Sequence, residues 1–160
     1  MSIYKLYIMR AKELLDKKIE EVMKRREEVI TVKPEDSVQK AIELLNGKIS
    51  GLPVVDDEDY LVGVVSNMDI LRELSSDPER LKELKVKDVM STYTIISLSP
   101  HSTVRDAIML MTKHCVHRIF VINLEDEKKV EMRAGRGLRP TSVYKLLGVF
   151  SASDVVRLLS

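Results

Sequence analysis

Two tetrads carry the residue types needed for ligand chemistry: Ser66-Asn67-Met68-Asp69 and Ser151-Ala152-Ser153-Asp154. Each follows a glycine and two apolar residues, Gly63-Val64-Val65 and Gly148-Val149-Phe150, and each is followed by an arginine, Arg72 or Arg157. The second copy is the first shifted by 85 positions (69 to 154). The simplest reading of Ser-x-x-Asp is a capping box, in which the serine opens a helix and the acid ties up an orphan amide. Position adds a second capacity. A strand that ends in serine and opens a helix aims N–H groups beyond the sheet, where anions are favoured. The carboxylate cannot serve a phosphate, but it accepts hydrogen bonds from vicinal hydroxyls, as an acid does with a ribose in dinucleotide sites. Amides for phosphate and an acid for a diol together point to a nucleotide.

The elements that must position these tetrads are themselves duplicated, which is settled before any local reading. Residues 1–18 form a helical lead-in expected to pack on the core or on a second subunit. The first repeat spans 19–74. Ile19 to Met23 is a helical turn, and Val29 to Val32 is a β-branched strand ended by Lys33-Pro34. Val38, Ala41, Ile42 and Leu45 fall at helical spacing behind Asp36 or Ser37, and Gly47 stops that helix. Strands follow at Leu52 to Val55 and Leu61 to Val65, then a helix to about Leu74. Residues 75–85 are a linker.

The second repeat spans 86–160. Val86 to Met90 mirrors Ile19 to Met23 at an offset of 67, and Ile96 to Pro100 mirrors Ile30 to Pro34 at 66. Val104, Ala107, Ile108 and Met111 mirror the first helix, and Ile119 to Asn123 mirrors Leu52 to Asp56. Four residues then separate Asp56 from Leu61, but 22 separate Asn123 from Leu146, so the second repeat carries an insert at about 124–145. The fold class is α/β (α+β): two βαββα repeats, packed with pseudo-twofold symmetry, because one small sheet cannot cover its own apolar face. Clefts between the copies are natural ligand sites.

Leu52-Pro53-Val54-Val55-Asp56 and the two Gly-h-h-Ser-x-x-Asp segments (h, apolar), in this order and duplicated, resemble a tandem pair of CBS domains, a Bateman module. The resemblance covers about Ile19 to Leu159. The second copy departs from it with Phe120 for proline, Asn123 for aspartate, and the insert. It implies a stand-alone regulatory module, not an enzyme, that binds AMP, ADP, ATP or S-adenosylmethionine between its repeats, with the motif aspartate on the ribose. Carried over residue by residue, it implies one cleft of Ser66, Asp69, Ile95, Ile96, His117 and Arg118. The other holds Ser151, Ser153, Asp154, Ile30, Ser50 and Gly51. The first is favoured because His117-Arg118 supplies positive charge for phosphates, while Ser50-Gly51 supplies none. The resemblance also implies a homodimer. No effector domain accompanies the repeats, so the signal is expected to pass to another protein.

Composition narrows the alternatives. With 26 basic and 25 acidic residues the net charge is +1, which gives no general attraction to nucleic acid or membrane. No apolar run approaches the ~20 residues that span a bilayer. The N-terminal stretch has no secretory core, and one cysteine excludes an internal disulfide, so a cytoplasmic protein is expected. Charged residues make up 32% and Asn plus Gln number four, a thermophilic bias that eight methionines weaken.

Other candidates are weaker. His114-Cys115-x-His117 lacks a second ligand pair at zinc spacing, and Cys115 reads as a buried core thiol. Arg72 and Arg157 read as partners of their aspartates one helical turn back. The insert holds Lys128, Lys129, Arg133, Gly135, Arg136, Gly137 and Arg139. Within it, Arg133 to Pro140 resembles a phosphate cradle but lacks the lysine and strand-to-helix context of a P-loop and reads as a mobile surface loop. The rival function is docking, to nucleic acid or protein, through this basic insert.

Overall fold

The computed structural model describes residues 1–92, 95–134 and 137–160. In chain order the elements are α1 (Ile3–Asp16), α2 (Ile19–Val22), β1 (Lys24–Arg25), α3 (Val38–Leu45), β2 (Gly51–Val55), β3 (Leu61–Ser66) and α4 (Asn67–Ser76). Then follow α5 (Val86–Val89), β4 (Ser97–Leu98), α6 (Val104–His114), β5 (Arg118–Ala134), β6 (Gly137–Ser151) and α7 (Ala152–Leu159). Two compact units result. One comprises Met1–Val29, Ile96–Leu124 and Leu147–Ser160, the other Ile30–Ile95 and Glu125–Leu146.

The units are built alike. In the first, strands run in the order β1-β6-β5-β4, with Lys24 opposite Val149 and Ser97 opposite Phe120. In the second, β2 and β3 pair antiparallel, flanked by a single antiparallel pair, Val64 with Ser91, and a single parallel pair, Val32 with Val54. Each unit takes its short opening helix from the other repeat. The Ile19 amide donates to the Ser102 carbonyl at 2.8 Å, and the Val86 amide to the Asp36 carbonyl at 2.8 Å.

Each core follows the apolar spacing of its helices. Val38, Ala41 and Leu45 of α3 meet Leu52, Val54, Val62, Val65 and Val86 in the second unit. Val104, Ala107 and Met111 of α6 meet Ile19, Ile119, Val121 and Phe150 in the first. Leu14 joins that core, so the lead-in helix packs by its C-terminal turn, while Ile3 to Met9 carries exposed apolar residues.

Three expectations are corrected. The strand over Val29 to Val32 narrows to the one pair at Val32, because Arg26–Glu28 turns as a 3-10 helix and leaves Ile30 exposed. Cys115 is exposed rather than buried. Helix α6 runs on to His114, and Cys115 is its C-cap, with φ of 52° in the left-handed region more often taken by glycine or asparagine. The insert is not a loop: its described residues extend β5 and β6 into a hairpin. Gly135 and Arg136 lie outside the described residues. Val130 and Met132 pack on the second core, as does buried Val143. The Tyr60 hydroxyl donates to Asp126 at 2.6 Å, and the Lys128 ammonium donates to Asp56 at 2.5 Å while lying 4.6 Å from the centre of the Tyr60 ring. Burial pushes the Asp56 carboxyl up, but Lys128 and the Tyr60 and Glu58 amides outweigh it and hold it below its usual value.

One surface bridge makes a titration prediction. Glu35 receives Lys85 at 2.6 Å and Lys87 at 2.8 Å, and these bonds hold its carboxyl at about 2 instead of 4.5. The depressed pKa means the charged form is favoured by folding, so the contribution is complete above about 4.5 and is lost as pH falls towards 2. Carbon-detected NMR is expected to place the Glu35 midpoint near 2; a midpoint above 4 contradicts the bridge.

Candidate functional site

Both Ser-x-x-Asp tetrads form the strand-to-helix turn that their spacing predicts. Ser66 (φ −114°, ψ 168°) and Ser151 (φ −122°, ψ 162°) stay extended as N-caps, and both turns close as capping boxes. The Ser66 amide donates to Asp69 Oδ2 at 2.8 Å, and the Asp69 amide to Ser66 Oγ at 3.4 Å. In the other copy the corresponding distances are 2.9 and 3.2 Å. Arg72 and Arg157 pair with their aspartates at 2.9 and 2.8 Å, as their spacing predicts. Both aspartates are buried.

The glycine before each turn makes room for a crossing segment. A Cβ on Gly63 would lie 2.6 Å from Met90 Sδ, and one on Gly148 would collide with the Lys24 carbonyl and lie 2.8 Å from Met23 Sδ. The segments that cross are those leaving α5 and α2.

The residue before each middle strand completes the turn. The Asn67 amide donates to the Ser50 carbonyl at 3.1 Å, and the Ala152 amide to the His117 carbonyl at 2.8 Å. The N-cap, first and third amides of each helix are therefore used within the protein, three of the four donors that a helix start leaves open. This corrects the expectation of a helix terminus free for phosphate. Cationic side chains must supply most of any phosphate grip.

Within one unit the structure gathers Ser50, Gly51, Ser66 and Asp69, with Gly51 paired to Ser66. Ile30 and Ile95 belong to the same unit. The other unit gathers His117, Arg118, Ser151, Ser153 and Asp154, and Ile96 joins it by accepting from the Phe120 amide at 3.0 Å. Arg118 is half-buried, and desolvation lowers its pKa from the usual guanidinium value. An arginine still remains charged under such a shift. His117 and Ser153 are exposed.

One residue was missed. The Ser91 hydroxyl donates to Asp69 Oδ1 at 2.8 Å. The repeat offset that pairs Met90 with Met23 sets Ser91 against Lys24, and that alignment was the available signal. Among the described residues no group of three or more His, Cys, Asp or Glu is placed to hold a metal, and no helix is long and apolar enough to cross a membrane.

Fold and site define a tandem-repeat α+β protein with one capped, buried carboxylate at each strand-to-helix turn. The CBS domain model matches residues 19–76 and 86–131, and the chain belongs to the CBS domain family, with two domains in tandem. It is 38% identical over 111 residues to an inosine-5'-monophosphate dehydrogenase of Methanocaldococcus jannaschii, covering 69% of this chain and 21% of the relative. It is 32% identical over 148 residues to the chloroplastic CBS domain-containing protein CBSX1 of Arabidopsis thaliana, covering 86% of this chain and 61% of that one. The chain thus spans about a fifth of the dehydrogenase. The solved structure of CBSX2 in complex with AMP matches with a TM-score of 0.66 at 29% identity, covering 88% of this chain and 93% of that chain.

Proposed function

We propose that this chain is a non-catalytic regulatory module that binds an adenosine nucleotide (AMP, ADP, ATP or S-adenosylmethionine) and signals its presence to a partner protein. The observation that carries the reading is the pair of buried, oriented carboxylates at equivalent turns, one of them in a unit that also holds Arg118. A related tandem structure, CBSX2, contains AMP. A motif aspartate takes the ribose hydroxyls, and Arg118 with His117 takes phosphate, since guanidinium grips phosphate in two places. The module works as a cytoplasmic homodimer. Binding transmits a signal only so far as the nucleotide prefers one conformation of the module over another.

The docking alternative through the insert is disfavoured by charge pairing. Lys128 is committed to Asp56 and Glu58, and Lys129 lies 3.9 Å from Glu127. The nucleotide reading is tested by calorimetric titration of AMP, ADP, ATP and S-adenosylmethionine. Micromolar binding of at least one is expected. No binding of any by the folded protein removes the reading and returns both tetrads to plain helix caps.

A further inference from the structure

The insert does more than lengthen a hairpin. With α4, α5 and the segment between them, it walls a cavity of about 610 Å³. All the lining residues belong to the second unit. The floor is apolar: Leu84 is buried in the second core, and half-buried Met90 and Met132 pack against that core. Glu131 and Met132 come from β5, so one wall exists only because this chain carries the insert. The lining shares no residue with either cleft that the family resemblance implies.

The charged side chains of the lining divide into two groups. Lys87 donates to Glu35 at 2.8 Å, and Asp88 accepts from the Lys85 amide at 2.8 Å, so both are engaged within the protein. Glu73 and Arg80 line the same space, with Glu131 at its rim, and among the described residues none of these three has an ion-pair partner. Their neighbours do: Asp69, one turn earlier on α4, pairs with Arg72 at 2.9 Å, and Glu79, beside Arg80, with Lys82 at 3.6 Å. Glu73 is half-buried, where a charge without a partner is costlier than on the open surface. A carboxylate and a guanidinium thus border one apolar-floored space, and neither satisfies the other.

We infer that this cavity is a second ligand site, for a small zwitterion with an apolar body, the chemistry of an apolar α-amino acid. Arg80 takes the carboxylate in two places. Glu73 takes the ammonium, and the side chain lies on Leu84, Met90 and Met132. A ligand with a single charge leaves Arg80 or Glu73 unpaired beside it, and a purely apolar one leaves both unpaired, which is costly in a closed space. The volume falls in the range of small-molecule sites, roughly 300–1,000 Å³, and an apolar lining with a few placed polar groups is their usual form. Such a site goes beyond the nucleotide reading and stands without it: the module answers to two classes of small molecule.

Calorimetric titration of L-leucine, L-methionine and L-phenylalanine into the full chain is the test. At least one is expected to bind, one per chain. Hexanoate and hexylamine, each with one of the two charges, are expected to bind at least roughly tenfold more weakly, as are the amino acids to Arg80→Ala and to Glu73→Gln, since each loses a charged hydrogen bond. Thermal melts establish that both variants remain folded. Saturating AMP is expected to leave amino-acid binding unchanged. No binding of any of the three by the folded wild type, a folded Arg80→Ala that binds as wild type does, or displacement by AMP overturns the inference. Amino-acid binding by a wild type that takes no AMP supports it and removes the nucleotide reading alone.

Discussion

Phe150→Ala is expected to lower the free energy of unfolding by about 4 kcal/mol, within the range for emptying a buried phenylalanine site. Phe150 is fully buried and packs in one cluster with Leu14, Ile19, Val104, Ala107, Met111, Ile119 and Val121. These neighbours come from α1, α2, α6 and β5, elements held by their own backbone bonds, so they cannot collapse far into the space left behind. For a chain of this size the loss corresponds to a fall in Tm of roughly 8–16 °C. Denaturant unfolding monitored by circular dichroism measures it. A loss below about 1.5 kcal/mol would mean that the site relaxes, contrary to the packing described. Phe150 also immediately precedes Ser151, so weaker AMP binding is expected to accompany the loss of stability.

Gly148→Ala is expected to cost about 3 kcal/mol, the upper part of the range for forced overpacking. The obstacle is the backbone: the new methyl group meets the Lys24 carbonyl, whose strand is paired to Val149. Either the Lys24–Val149 pairing opens or β6 bends. Gly63→Ala is the control. There the nearest atom is Met90 Sδ at 2.6 Å, the end of a flexible side chain, and the nearest backbone oxygen is 3.3 Å away. It is expected to cost about 1 kcal/mol, since a flexible side chain can move aside. Parallel melts of the two variants decide the matter. Equal losses would show that the crossing segments give way alike and would remove the argument for backbone contact at Gly148.

The regions where the spacing misled share a physical cause. In the sequence the insert reads as a loop, with basic residues around Gly135 and Gly137. Val130 and Met132 stand two apart, the period of a strand face, but only the apolar surface of the second unit gives that face something to cover. Lys128 looked like part of a basic patch and instead neutralises Asp56 and packs over Tyr60, partners 72 and 68 positions away. In the sequence Cys115 reads as a core thiol, since a free cysteine is among the most buried residue types. One further helical turn moved it to a left-handed cap on the surface.

What the sequence by itself determined is what depends on near neighbours along the chain and on duplication. The 3.6-residue period of α3 and α6, the serine caps, the pairing of Arg72 and Arg157 with their aspartates, and the tandem organisation all fall in that class. Capping boxes and helical ion pairs span three or four residues, so their partners are legible in one window. Tertiary structure decided which segment crosses beneath Gly63 and Gly148, where the insert lies, and how many donors each carboxylate receives. Those depend on contacts between residues far apart in the chain, as between Ser91 and Asp69. Two turns with the same motif therefore end with different surroundings: in one a distant hydroxyl occupies the acid, and in the other a lysine stands in that place.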